Sequence, residues 1–93
     1  MADSDDGVRV WLVERTYSDD EQNMIILTYA TPAGDRYFRK ERALTSFDDV
    51  RDTTAAVTVE PDNLGQVDDK TLREQYAAEA ERMRGLHDPD DVI

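Results

Sequence analysis

Apart from carboxylates, the chain holds few side chains that could act as nucleophiles, general bases or metal ligands. His87 is the only histidine, and it follows the predicted C-terminal helix in an acidic stretch. With no cysteine and no second histidine, the sequence offers no familiar pair of nucleophile and base. We therefore predict that His87 is a solvated surface residue, that no residue is catalytic and that the protein is not an enzyme.

Adjacent aspartates recur at Asp5-Asp6, Asp19-Asp20, Asp48-Asp49, Asp68-Asp69 and Asp90-Asp91. Several carboxylate oxygens of this kind are what hard cations such as Mg²⁺ and Ca²⁺ bind. The spacing of an EF-hand loop is absent, however, and the four glycines are isolated, so the sequence indicates neither a calcium loop nor a phosphate-binding loop. We predict no metal site, no cofactor and no small-molecule ligand.

One segment, residues 36–42, has the opposite charge to the rest of the chain. It contains four bases and one acid, a local charge of +3, whereas the whole chain has a net charge of −11. Two aromatic residues lie among these bases, and the combination of bases with stacking rings is typical of nucleic-acid-binding surfaces. Nucleic-acid binding is therefore our second hypothesis, through Arg36, Arg39, Lys40 and Arg42. The alternative is that Phe38 belongs to the core and that the bases pair with acids such as Glu14 or Glu74.

The apolar pattern of the N-terminal half predicts the elements that position this segment. Residues 8–17 and 24–31 are rich in β-branched and aromatic residues, which favours two strands. The sequence Pro-Ala-Gly-Asp at 32–35 is a strong turn signal. Residues 36–42 then return as a third strand, so that we expect an antiparallel meander.

The C-terminal half predicts two helices and a further strand. A short helix is expected over about 46–53, and residues 55–60 alternate as a fourth strand would. The clearest helix covers 68–85, where Thr71 and Glu74 fit a capping box and a glycine stands at the end.

These elements predict an α+β fold, an antiparallel sheet of three to four strands with the C-terminal helix packed on one face. We assign residues 8–87 to a single domain. Residues 1–7 are expected to form a disordered acidic N-terminus, and residues 88–93 an acidic C-terminal tail that packs on its own domain or frays.

Strand alternation divides the apolar residues of the sheet between two faces. We expect the helix to cover the first face through Leu72, Tyr76, Ala80 and Met83. The residues of that face would be Val8, Val10, Leu12, Ile25, Leu27, Tyr29 and Phe38.

The second face would then be open, with apolar residues mixed among arginines, as in many subunit interfaces. Our leading hypothesis is therefore a non-enzymatic protein–protein interaction module that acts as a homodimer. Its predicted contact residues are Trp11, Val13, Met24, Ile26 and Tyr37.

The kinds of charged residue are also informative, since 15 of the 22 acids are Asp and 9 of the 11 bases are Arg. Short carboxylates hydrate strongly, and a shortage of Lys removes apolar stems whose contacts strengthen in molar salt. At molar ionic strength the Debye length is only about 3 Å, so self-repulsion costs little. High net charge also marks disorder, but the patterned middle of the chain argues against it. The composition resembles that of salt-adapted haloarchaeal proteins.

The whole chain is similar in style to the short conserved proteins of unknown function that haloarchaeal genomes encode. The residues that carry this likeness are Phe47-Asp48-Asp49, the stretch 57–61 (Val-Thr-Val-Glu-Pro) and the stretch 74–83 (Glu-Gln-Tyr-Ala-Ala-Glu-Ala-Glu-Arg-Met). The resemblance implies a lineage and no site residues. Because the N-terminus lacks a signal-peptide pattern and the longest apolar run is only Met24–Leu27, we expect a cytoplasmic protein without a membrane span.

Overall fold

A computed structural model describes residues 7–18, 24–43 and 53–93. The predicted short helix over 46–53 lies outside these residues except for Thr53, and the predicted disordered stretch 1–7 lies outside them except for Gly7. Both predictions therefore stay predictions.

The described residues form one antiparallel sheet, one α-helix and a single 3-10 turn at Pro61–Asn63. The elements are β1 (Val8–Ser18), β2 (Met24–Ala30), β3 (Arg36–Ala43), β4 (Ala56–Val59), β5 (Gly65–Gln66) and α1 (Lys70–Leu86). The strand order in the sheet is β4-β1-β2-β3-β5. The α+β fold, the meander of β1 to β3 and the C-terminal helix on the sheet are thus confirmed. The sheet of the described residues has five strands rather than the predicted three to four. β5 was not predicted because its two residues are too few to produce an alternating pattern in the sequence.

The turn between β2 and β3 is shaped by a glycine that the helix passes closely. Thr31 and Arg36 close the hairpin through a main-chain hydrogen bond of 3.1 Å, and the Gly34 N–H donates to the Thr31 carbonyl oxygen at 2.8 Å. Gly34 has a φ of +77°, and a Cβ added there would lie 2.7 Å from the main-chain nitrogen of Ala77 in α1. The predicted turn is confirmed, and it lets the helix approach the sheet.

A bulge in β1 changes which side chains face which way. Trp11 pairs with Ala30, whereas Glu14 pairs with Thr28, so that the register shifts across Val13. A bulge adds one residue to one strand and reverses the alternation beyond it. Glu14 therefore shares a face with Trp11, although simple alternation had placed Val13 there.

The cap of the helix lies two residues before the predicted one, and both helix ends are held by hydrogen bonds. The Asp69 carboxylate accepts a hydrogen bond of 3.1 Å from the Thr71 main-chain N–H, so Asp69 is the N-cap. The capping box predicted for Thr71 and Glu74 was therefore wrong: the cap is Asp69, and Leu72 stands where a capping box needs Glu or Gln. At the other end, the His87 N–H donates to the Met83 carbonyl oxygen at 2.9 Å.

The helix packs on the face that the sequence led us to expect to be open. By register, Trp11, Ala30 and Tyr37 share one face, and Tyr37 lines a groove together with Leu72 and Tyr76 of the helix. Trp11 is only 4% exposed and belongs to one buried cluster with Ala80 and Met83. The predicted assignment of the helix to the face of Val10 and Leu12 was therefore wrong. Both faces are apolar, and hydrophobicity alone could not choose between them.

The opposite face is buried as well. Its most buried members are between 0% and 6% exposed: Val10, Leu12, Ile25, Leu27 and Tyr29. Tyr29 and Phe38 lie side by side there, with ring centroids 6.1 Å apart. The sheet therefore contributes buried residues on both sides.

Residues 88–93 are hydrogen-bonded to the segment that leads into β4. The Ala55 N–H donates to the Asp91 carbonyl oxygen at 2.8 Å, and the Ile93 N–H donates to the Thr53 carbonyl oxygen at 2.8 Å. The Arg15 guanidinium adds a hydrogen bond of 3.0 Å to the main-chain oxygen of Ile93. The domain boundary that we drew after residue 87 thus separates residues that are bonded to one another.

We predict that Gly34→Ala destabilises the protein by about 2 to 4 kcal/mol, because the positive φ alone costs an ordinary residue about 1–2 kcal/mol and the methyl group also meets the helix backbone. Urea unfolding followed by circular dichroism would measure it. Gly85→Ala is the control, since nothing lies within 4 Å of a Cβ at that position of α1. It should raise stability by up to about 1 kcal/mol. Equal effects of both substitutions would contradict this account of the turn.

A second prediction concerns Trp11→Asp, at a position that our homodimer hypothesis placed on the open second face. Because Trp11 is buried beneath the helix, the substitution removes about 3–5 kcal/mol of packing and buries a charge. That loss is comparable to the whole stability of a small domain, so we expect an unfolded chain by circular dichroism. Tyr17→Asp, at a β1 position that is 64% exposed, should stay folded. A folded Trp11→Asp protein would show that α1 does not cover Trp11.

Candidate binding groove

A groove of about 470 Å³ lies between the start of α1 and the sheet. Its floor consists of residues from β1 and β2, namely Thr16, Ile26 and Thr28, and Leu72 and Tyr76 of the helix form one wall. Residues 66–69, which connect β5 to α1, close one end. The groove exists because α1 crosses only part of the face, leaving the outer parts of the three long strands beside it.

Opposite charges lie on either side of the groove floor. Glu14 pairs with Thr28, and Thr28 pairs with Arg39, so the three residues form one row across β1, β2 and β3. Two strand spacings separate the carboxylate strand from the guanidinium strand, about 10 Å. Arg39 also lies 3.5 Å from the Glu41 carboxylate, and each side chain is about half exposed. The groove can therefore meet charged groups of either sign.

The environment of Tyr76 keeps its hydroxyl protonated. Burial raises the pKa of the Tyr76 phenol, and the nearby Glu14 carboxylate and Tyr37 phenol raise it further, while Arg39 acts in the opposite direction. A phenol held in its neutral form remains a hydrogen-bond donor as well as an acceptor. Tyr76 thus adds a polar group to a wall that is otherwise apolar at Leu72.

The structure brings together only part of the predicted contact set. Ile26 and Tyr37 both line the groove and are half-buried. Val13 lies at the bulge and lines a smaller recess on the helix, while Met24 is half-buried at the far end of β2, opposite Ala43. Trp11 is in the core, so the premise that all five residues share an open face is corrected by the bulge and by the position of the helix.

The four bases of the second hypothesis do not form one surface. Arg39 lines the groove, whereas Arg36 lines a separate polar recess that also contains Arg73. Lys40 follows Arg39 directly in β3, so strand alternation places it on the opposite face. Arg42 pairs with Ile25 in β2, and its side chain lies outside the described part of the structure. Alternation therefore separates Arg39 from the positions of Arg36, Lys40 and Arg42, and Arg36 of these three lines the recess.

The remaining candidate groups lie elsewhere. His87 ends the helix, with its Nδ1 atom 3.6 Å from the Asp91 carboxylate. Within residues 7–18, 24–43 and 53–93, no three histidine, aspartate or glutamate side chains converge as metal ligands would. In the same ranges, no helix has the length and apolar character needed to cross a membrane.

Sequence reasoning missed most of the groove. Glu14 and Thr28 are ordinary polar residues in strands. Only the bulge at Val13 places Glu14 in one row with Thr28 and Arg39. Tyr76 was predicted as a core residue of the helix, because its spacing matches the apolar stripe. A tyrosine on such a stripe near two acids and an arginine is the one signal that could have pointed to a partly polar site.

We predict that Glu14→Gln lowers the pKa of Tyr76 toward the ordinary value of 10.0, since it removes a neighbouring negative charge. Ultraviolet absorbance titration would detect this ionisation as the difference between wild type and Tyr76→Phe. Because folding raises this pKa, the stabilising contribution is complete below pH 10 and is lost as the pH rises through the folded value. No change in the Tyr76 titration on replacing Glu14 would contradict the described contact.

Comparisons with known proteins identify the family of this chain. Neither the curated proteins nor the solved structures yield any match to this chain. A family model, described as a family of unknown function, matches residues 3–93, which is nearly the entire chain. The protein therefore belongs to the family of unknown function DUF7967.

Proposed function

We propose that the protein is a non-enzymatic protein–protein interaction module that acts as a homodimer through the β3 side of its sheet. The observation that carries this proposal is the groove, in which half-buried Ile26 and Tyr37 lie beside Leu72 and Tyr76 of the helix. Aromatic and aliphatic residues in a partly buried centre with a charged rim are the usual composition of protein interfaces.

The rim of the groove suits a second copy of the same chain. A two-fold interface uses one patch twice, so the patch must carry groups that complement each other. Here Arg39 lies opposite Glu14 across the floor, and Asp68 and Asp69 stand at the closed end. Away from such a mixed patch, two chains that each have a net charge of −11 repel one another.

We also propose that the protein is adapted to high salt, with a haloarchaeal origin and a cytoplasmic location. The excess of Asp over Glu and of Arg over Lys supports this proposal. In molar salt the Debye length is about 3 Å, so the repulsion between copies is screened, while apolar contacts strengthen. Self-association should therefore be favoured by salt.

Nucleic-acid binding through Arg36, Arg39, Lys40 and Arg42 is the alternative that we favour less. Its bases are divided between the groove, a separate recess and the opposite face. High salt would also weaken binding that depends on the release of counterions from phosphates. Retention of the wild type on single-stranded RNA in molar salt, lost when the four bases become Ser, would favour this alternative.

We predict that light scattering in about 2–3 M KCl gives the mass of two chains, falling toward one chain on dilution or at low salt. Hydrogen exchange at high and low protein concentration locates the contact. Association should slow exchange several-fold in β3 and in residues 66–72, while β4 at the other edge serves as the control. The mass of a single chain at every concentration would refute the homodimer, and slowing confined to β4 would refute the proposed surface.

A further inference from the structure

The outer edge of β3 is longer than the strand that pairs with it. β3 has eight residues, and β5 pairs only with Arg36 and Tyr37. In the described part of the chain, no strand pairs with the outer edge of residues 38–43. An edge of this kind presents main-chain N–H and C=O groups that another strand can bind.

We propose that β3 of a second copy pairs antiparallel with this edge, with the two-fold axis at Lys40. The inference rests on the homodimer proposed above and specifies how its two copies are joined. The ladder would run from Phe38 to Arg42 in each copy, which stops just short of the residues that β5 already pairs. The two sheets would then form one continuous sheet of ten strands.

Symmetry restricts the registers that two copies of β3 can adopt. A two-fold axis perpendicular to the sheet keeps each face on its own side, so each residue must oppose a residue that points to the same face. β3 pairs with β2 without a bulge, and its alternation is regular along the whole strand. The axis must therefore lie midway between one residue and its counterpart in the second copy, and only Arg39, Lys40 and Glu41 lie near the middle of the edge.

Charge selects one of these three registers. An axis at Lys40 sets Arg39 against Glu41 of the second copy twice, at the cost of one Lys40–Lys40 pair. An axis at Glu41 would set Glu41 against itself and Lys40 against a second base. An axis at Arg39 would set Arg39 against itself and would run into Tyr37, which β5 already pairs. Directly opposed opposite charges stabilise a sheet, and like charges destabilise it.

The geometry of the two charged residues fits this pairing. Arg39 and Glu41 are two residues apart on one face and already lie 3.5 Å from each other. Their side chains remain 54% and 50% exposed, so each can make a further contact. In the paired sheet the four groups would form one alternating network. Because Tyr37 and Arg39 of β3 line the groove, each groove would border the β3 strand of the second copy, and both would lie on the same face of the joined sheet.

A cysteine at the axis tests the register directly. Residues that oppose each other across an antiparallel pair have Cα atoms about 4.5–5.5 Å apart, which is within the range for a disulfide. The chain has no cysteine, so Lys40→Cys introduces the only thiol. We expect it to form a covalent dimer under mild oxidation at least ten-fold faster than Thr58→Cys, an exposed position on β4 at the other edge. Equal rates would overturn the proposal.

Charge exchange provides the second test, measured as the dimer dissociation constant by sedimentation. At the lowest KCl concentration at which the wild type still dimerises, Arg39→Glu and Glu41→Arg should each weaken the dimer at least five-fold, and the double variant should restore it to within two-fold of wild type. A dimer of wild type without this rescue and without rapid Lys40→Cys cross-linking would refute the β3 pairing and leave the homodimer standing. A wild type that is always a monomer would refute both.

Discussion

The bulge at Val13 is the constraint on which the composition of the groove depends. It adds one residue to β1 between Leu12 and Glu14, and every side chain beyond it changes faces. Glu14 therefore faces the helix in the row of Thr28 and Arg39. Without the bulge, Arg15 would occupy that side, and the groove would hold two guanidinium groups and no carboxylate on its floor. The mixed charge of the groove thus follows from one extra residue.

The same bulge shows how far the sequence could predict this fold. Alternation and turn residues located the meander correctly, because strands with β-branched residues and the turn at Gly34 leave strong local patterns. A bulge leaves no such pattern, since Val13 is as acceptable in a regular strand as in an irregular one. The sequence also failed to predict which face the helix covers, because both faces of the sheet carry enough apolar residues to be buried.

The basic segment illustrates the difference between charge in a sequence and charge on a surface. Residues 36–42 carry +3 in the sequence, but they form a strand, so successive residues alternate between faces and Arg39 is separated from the other three bases. Arg39 lies 3.5 Å from the Glu41 carboxylate and faces Glu14 across β2, so its positive charge is offset on the groove face. A surface for phosphates needs bases at the spacing of one face, and this strand provides that spacing only between Arg36, Lys40 and the position of Arg42.

The two sides of the sheet differ in how much of their outer edge is hydrogen-bonded to other parts of the described chain. The segment that leads into β4 is hydrogen-bonded to residues 89–93, so the chain itself occupies part of that edge. The edge of β3 carries charged residues instead, which usually prevents strands from pairing indiscriminately. Charges of a single sign would also keep out a second copy. Because Glu41 interrupts the bases, the symmetric register centred on Lys40 brings opposite charges together, whereas the registers centred on Arg39 and Glu41 set like charges against each other. An edge protected in this way can still accept one specific partner.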